Sequence, residues 1–325
     1  MPGTYSGVVP ISLLKKAEAK APLSDATTNS SNSATGNPIL PGWYADPELH
    51  YFEGRYYVYP TTSRPYVEQT TFECWSSSDL TDWRNEGVIL DFVDIPWSTQ
   101  FAAWAPSCAR SPFDGRYYFY FSAGDGAGIG VAVSDSPAGP FRDALGIPLV
   151  SGYPFGAQPI DAHCFVDDDG RSYLYFGGHN RCVVAPLNPT MRSFNRPFRE
   201  ITPSPAFVEG AFMLKRRGVY YLMWSEGGWG DSSYGAAYGV ADNPYGPFEY
   251  GGKILENNPE VGNSAGYHSV LALPDRDDEW VVCYHRRPLS ETNRHHRVVC
   301  IDKLVFRPDG SIAPVVLTHE GVSLR

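Results

Sequence analysis

From Asn37 to the end of the chain, apolar and aromatic residues come in runs of strand length, each broken by glycine, proline or aspartate before a helical period can establish itself. Five runs share one shape, two aromatic-rich segments around a tight turn: "YFEGRYYVYPTTS" (51–63), "SPFDGRYYFYFSA" (111–123), "VDDDGRSYLYFGG" (166–178), "LKRRGVYYLMWSE" (214–226) and "LPDRDDEWVVCYHRR" (273–287). Each reads as a β-hairpin. The turn positions Gly54, Gly115, Gly170, Gly218 and Asp278 lie 61, 55, 48 and 60 residues apart. Four short strands recurring with a period of about 50 residues mark a propeller blade. Later echoes, "SSSDLTDW" (76–83), "AVSDSPAGPF" (132–141) and "VADNPYGPFEY" (240–250), fit turns and outer strands of the same units. A sandwich or two stacked barrels would not repeat one hairpin five times. The pattern therefore predicts an all-β, five-bladed β-propeller as a single domain over residues 37–325.

This architecture places the start of each innermost strand beside a common axis, so polar residues at one repeat position converge on one mouth. Counting back from each turn reaches Asp46, Trp104, Asp161, Glu209 and His268. Taken singly, each has a bland reading: Asp46 before Pro47 suits an Asx-type turn, and Glu209 beside Gly210 suits a strand entry. Three converging carboxylates repel one another and destabilise the fold, which favours a chemical role for the group. Glycosidic cleavage needs such a set. One carboxyl stays protonated to donate to the leaving oxygen, one is ionised to activate water, and a third raises the acid's pKa. Carboxylates on different blades suit the roughly 6.5–9.5 Å separation of an inverting pair. Trp104, with Phe101 or Trp75, offers an apolar face for a sugar ring.

Composition narrows the partners. The formal charge of −10 opposes a phosphate-tracking nucleic-acid binder, and no stretch of 18 uninterrupted apolar residues exists to span a membrane. A neutral substrate and a monomeric chain are the expectation. The six cysteines form no metal-type CxxC pair and sit in strand-like runs, so they read as buried free thiols, with a Cys283–Cys300 disulfide as the alternative. The Asp-rich turn at 167–169 lacks the D-x-D-x-D-G spacing and distant Glu of an EF-hand and reads as hairpin geometry. Residues 1–36, rich in Ala, Ser, Thr and Asn without an apolar period, read as a flexible leader. No basic start followed by an apolar stretch is present; the acceptor pattern Asn29-Ser30-Ser31 leans toward an extracellular protein.

At the level of motifs, the chain resembles glycoside hydrolase family 43, five-bladed propeller enzymes that cleave arabinofuranosides and xylosides with inversion. "NPILPGWYADPE" (37–48) resembles the segment carrying the general base, "PIDAHCFVDDDGRSYLYFGG" (159–178) the one whose aspartate tunes and orients the acid, and "FVEGAFMLKRRGVYYLMWS" (207–225) the general-acid segment. The resemblance implies Asp46, Asp161 and Glu209 in those roles. "WAPS" (104–107) matches the stretch lining the sugar pocket. "GYHSV" (266–270) implies that His268 lies below the site and helps hold a calcium ion or water, and "HHRVVCIDKLVFRPDGSIAPV" (295–315) implies a substrate contact by Arg297. No cofactor is implied for the chemistry itself. The implied activity is an exo-acting α-L-arabinofuranosidase on plant cell-wall arabinan or arabinoxylan. A β-xylosidase or endo-arabinanase is the alternative within the family, and a non-catalytic carbohydrate-binding propeller the alternative outside it. All three carboxylates are in place, which argues against the last.

Overall fold

The computed structural model describes residues 34–323 and contains five antiparallel sheets, one for each repeated hairpin. Blade 1 holds β1 (Tyr44–Phe52), β2 (Arg55–Thr62), β3 (Thr71–Ser77) and β4 (Arg84–Asp91), and blade 2 holds β5 (Trp104–Arg110), β6 (Tyr117–Ala123), β7 (Gly128–Ser134) and β8 (Arg142–Asp143). Blade 3 is β9 (His163–Val166), β10 (Ser172–Phe176), β11 (Val183–Pro186) and β12 (Arg199–Glu200). Blade 4 is β13 (Phe207–Arg216), β14 (Val219–Glu226), β15 (Gly235–Ala241) and β16 (Glu249–Leu255), and blade 5 is β17 (His268–Ala272), β18 (Trp280–Arg286) and β19 (Val298–Leu304). The five-bladed propeller expected from the repeat is the observed fold.

The predicted turns fall between first and second strands. Phe52 pairs with Arg55 and Arg216 with Val219, which leaves two-residue loops, Glu53-Gly54 and Arg217-Gly218, with positive φ at both positions (51° and 83°; 52° and 80°). That is the turn whose twist matches the flanking strands, and glycine at its second position takes the left-handed conformation without strain.

The core is divided among the seams of the ring. Tyr59, Phe72, Phe119 and Phe121 pack blade 1 on blade 2; Tyr120, Val131, Leu174 and Phe176 pack blade 2 on blade 3; Tyr175, Val184, Leu222 and Trp224 pack blade 3 on blade 4. Tyr221, Met223, Val282 and Tyr284 fill the seam between blades 4 and 5, and Val58, Trp75, Cys283 and Ile301 the one between blades 5 and 1. Burying such a side chain stabilises by roughly 1.5–3 kcal/mol, so the aromatic strand signature is what holds neighbouring blades together.

Blade 5 has only three strands, and the start of the described chain lies along the outer edge of β19. Ile39 N–H donates to Val299 O at 2.9 Å, and Asn37 Oδ1 accepts from Ile301 N at 2.8 Å. Thr35 and Gly36 donate to Val322 and Glu320 carbonyls at 2.9 and 2.8 Å. The hydrogen-bonded ring thus takes in Ala34, Thr35 and Gly36, which the sequence pattern assigns to the leader; the rest of that leader, residues 1–33, lies outside the described residues. All six cysteines are free and buried. Cys283 pairs across the ladder with Ile301, while Cys300 faces Tyr284, so the two thiols point to opposite faces of the sheet and cannot bond.

Candidate active site

Four innermost strands enter the ring in the same unusual way. Asp46, Ala105, Asp161 and Gly210 all have left-handed φ (46°, 40°, 57° and 66°). The ladder slips at that point between Ala45 and Glu48, between Trp104 and Ser107, and between Glu209 and Phe212. A bulge re-aims side chains, here toward the axis. For residues with a Cβ the left-handed conformation costs about 1–3 kcal/mol and survives only where its surroundings hold it. Here they do: Asp46 N–H donates to His285 Nδ1 at 3.0 Å, Ala105 N–H to Thr61 Oγ1 at 2.8 Å and Asp161 N–H to Ser122 Oγ at 2.9 Å.

The side chains so directed line one open pocket of about 440 Å³, formed by Asp46, Tyr66, Trp104, Ile160, Asp161, Glu209, Trp229, Tyr234, Tyr267 and Arg297. Asp46, Asp161 and Glu209 come together as the sequence predicted, but their environments differ. Burial pushes the Asp46 carboxyl up, yet the Arg297 guanidinium (Nη1 3.4 Å from Oδ1), His285 and Thr61 outweigh it and hold the group below its ordinary value. Burial likewise pushes Asp161 up, and the neighbouring Glu209 and Asp46 charges add to it, leaving it well above the carboxylate range. Glu209 is also raised, by burial first, against the Tyr234 hydroxyl that donates to its Oε1 at 2.9 Å. A carboxyl lowered on blade 1 thus faces two that are raised on blades 3 and 4. This is the separation of pKa values that assigns a base and an acid.

Aromatic walls surround the carboxyl groups. Tyr66 meets Trp104 edge-on at 4.7 Å and His295 at 5.3 Å, and the Trp104 indole N–H is hydrogen-bonded to Gln69 Oε1. Trp229 carries Arg297 over its face at 5.1 Å and Arg294 at 4.6 Å. Arg297 is fixed by a 3.0 Å bond from Nε to Ser63 Oγ. Trp104 and Arg297 therefore stand where the sequence put them. Trp75 does not: it is buried in the seam between blades 5 and 1, edge-on to Tyr44 at 5.8 Å, because its strand is the third of blade 1 and never reaches the axis. Phe101, on the approach to β5, is not among the pocket-lining residues. Tyr66, Trp229 and Tyr234 went unforeseen since they sit on or beside the loops between second and third strands, which do not repeat; Ile160, Tyr267 and His285 belong to the repeat but were not weighed.

His268 lies one tier below the mouth to which the count from the turn assigned it. Cross-strand pairing aligns it with Glu48, Ser107, His163 and Phe212, which together form a second tier below the carboxylates. Its Nε2 is buried without a partner, the kind of atom that an ion or water would satisfy. The surrounding donors do not suit calcium, which takes six to eight oxygen ligands. Phe212 is apolar, and the Glu48 carboxylate is already bonded by Ser107 Oγ (2.8 Å), Cys108 N–H (2.6 Å), His163 Nδ1 (2.8 Å) and His50 Nε2 (2.9 Å). Among the described residues no group of three or more His, Cys, Asp or Glu could hold a metal ion. The Asp-rich turn at 167–169 likewise spends Asp167 on Lys215 (2.7 Å) and the Tyr220 hydroxyl (2.6 Å), a brace between blades 3 and 4.

The chain has counterparts elsewhere. The family model of the glycosyl hydrolases of family 43 matches residues 35–312. The β-D-galactofuranosidase xynD of Aspergillus niger is 50% identical over 308 residues, covering 92% of this chain and 90% of that protein. Xylosidase/arabinosidase 43A of Humicola insolens is 34% identical, over 85% of this chain and 98% of its own. Among solved structures, a Bacillus subtilis arabinoxylan arabinofuranohydrolase in complex with cellotetraose superposes with a TM-score of 0.77 at 28% identity, over 90% of this chain and 71% of that one. An α-L-arabinofuranosidase of Clostridium thermocellum does so with a TM-score of 0.72 at 32% identity, over 86% and 95%.

Proposed function

The chain belongs to the glycosyl hydrolases of family 43, and on that footing we propose that it is an inverting, exo-acting furanosidase removing terminal β-D-galactofuranosyl units. The observation that carries the mechanism is the opposed electrostatics of one pocket: Asp46, held below its ordinary pKa beside Arg297, faces Asp161 and Glu209, both raised above theirs. Glu209 donates its proton to the leaving oxygen while Asp46 takes one from the attacking water; burial and the Asp46 charge keep the acid's pKa raised, and Asp161 orients it. Asp46 and Glu209 stand on blades 1 and 4, which are not neighbours in a ring of five, an arrangement that favours the wider separation in which a water fits between acid and base. Trp104, Tyr66 and Trp229 wall a pocket suited to one terminal ring, which favours release from chain ends or branches. The substrate is a neutral oligo- or polysaccharide, as the acidic chain requires, met outside the cell.

The choice of sugar rests on the Aspergillus niger relative, half identical over nine-tenths of both chains. The α-L-arabinofuranoside expected from the motif remains the second reading, favoured by the structural neighbours of that activity. Both sugars have the same ring configuration and differ by one exocyclic carbinol, so the space beyond C4 decides between them. Hydrolysis of 4-nitrophenyl β-D-galactofuranoside, α-L-arabinofuranoside and β-D-xylopyranoside ranks them, and NMR of the first-formed product reads the mechanism. We expect the galactofuranoside to be fastest, with α-galactofuranose released first. Faster arabinofuranoside turnover transfers the assignment to the second reading, and a product of retained configuration refutes the water-mediated step.

A further inference from the structure

The second strand of every blade ends in an equivalent residue, identified by its partner on the first strand. Thr61 pairs with Ala45, Ser122 with Trp104 and Ser225 with Glu209; Gly177 N–H bonds Ile160 O, and His285 N–H bonds Tyr267 O. This position reaches across to the next blade's strand entry. Thr61 and Ser122 accept the amide N–H of Ala105 and Asp161, Ser225 Oγ donates to Gly266 O at 3.2 Å, and His285 Nδ1 accepts the Asp46 N–H. Three blades do this with a small hydroxyl and one has glycine. Only the blade facing Asp46 uses an imidazole.

The ring does something that a hydroxyl at this site cannot. It is fully buried, lies nearly parallel (14°) to the rings of Tyr234 and Tyr267 at 5.8 and 6.4 Å, and approaches Asp46 Oδ1 to 3.3 Å. Accepting the amide at Nδ1 leaves its proton on Nε2 and keeps it neutral, so Arg297 is the cation beside the carboxylate. Both neighbours contact the same oxygen, Oδ1. We infer that His285 is a positioning residue for the general base: by accepting the amide N–H it locks the left-handed turn at Asp46 and, by the bulk of its ring, restricts the carboxylate while Arg297 holds Oδ1, so that Oδ2 is presented to the water. The inference rests on the reading of Asp46 as base.

Serine is the solution used at this position in blades 2 and 4, which makes His285→Ser the discriminating variant. A purely structural role predicts that serine suffices. Positioning of the carboxylate predicts a folded protein whose kcat falls by about 10–100-fold with KM within about threefold, on whichever of the two 4-nitrophenyl furanosides the wild type cleaves faster. A folded His285→Ser enzyme with wild-type kcat overturns the inference. Should the vacated space unfold it, His285→Asn, whose side-chain carbonyl can take the same N–H without a ring, carries the same two outcomes. Asp46→Asn measured alongside separates the two levels: retained turnover there sinks the base assignment, whereas an inactive Asp46→Asn beside a fully active His285→Ser sinks only the role of His285.

Discussion

Two tiers of one channel hold buried carboxylates with opposite fates. Glu48 in the lower tier accepts four hydrogen bonds and charge-assisted contacts, which overcome its burial and hold its pKa at about 2. Asp161 and Glu209 in the upper tier have fewer partners and face like charge, so burial wins and both are raised. Depth alone therefore does not decide what a buried carboxylate does; the number of donors aimed at it does. A satisfied carboxylate braces the channel, and an unsatisfied one keeps a proton available for chemistry.

The sharpest way to break this contrast is to neutralise each tier in turn. Asp46→Asn and Glu209→Gln are each expected to lower kcat/KM by about 10²–10⁴-fold, with Glu209→Gln and Asp161→Asn raising the melting temperature by relieving a raised carboxyl. Glu48→Gln is expected to do the reverse, losing on the order of 2–4 kcal/mol of stability while the folded fraction keeps most of its activity. The sign follows from the direction of the shift. A carboxyl depressed from 4.5 to about 2 stabilises fully above pH 4.5, and that contribution disappears as the pH falls toward 2. Thermal melts of wild type and Glu48→Gln between pH 2 and 7 should therefore converge at the acid end. Curves that stay parallel throughout would place the stabilisation elsewhere.

Arg297 is the next point of leverage, because it separates the base from the acid within the upper tier. Without its charge, burial of Asp46 is left largely unopposed and its pKa climbs; Asp161 and Glu209, which Arg297 also lowers, climb as well. Arg297→Met is expected to cut kcat/KM by about 10²-fold and to move both limbs of the pH profile upward. An acidic limb that stays in place would show that the guanidinium binds substrate without tuning the base.

The sequence exposed the upper tier and blurred the lower one for a definable reason. Counting back eight, nine and nine residues from Gly54, Gly170 and Gly218 reaches Asp46, Asp161 and Glu209, although the loops between first and second strands grow from two residues in blades 1 and 4 to five in blade 3 and six in blade 2. In blade 5 the gap between Ala272 and Trp280 is longer, so the count from Asp278 landed on His268, one tier too deep. Trp75 was misplaced because aromatic character marks seams and pocket walls alike. Tyr66, Trp229 and Tyr234 come from rim segments with no counterpart in other blades, where only the folded structure shows which residues meet. His285 was visible as the odd member of Thr61, Ser122, Gly177 and Ser225, a departure from the repeat that gains meaning once Asp46 is seen beside it.

The smallest expected effect concerns Tyr234, whose hydroxyl supplies the hydrogen bond drawing Glu209 back toward its ordinary value. Tyr234→Phe removes that donor and leaves the ring stacked on His285 in place. Glu209 should then hold its proton to higher pH, shifting the basic limb upward and lowering kcat by about tenfold as the weaker acid transfers less readily. The acidic limb, set by Asp46 and Arg297, should not move. A basic limb that also stays fixed would mean that Asp161, and not Glu209, governs it, and the proton of the upper tier would then have to be assigned to blade 3.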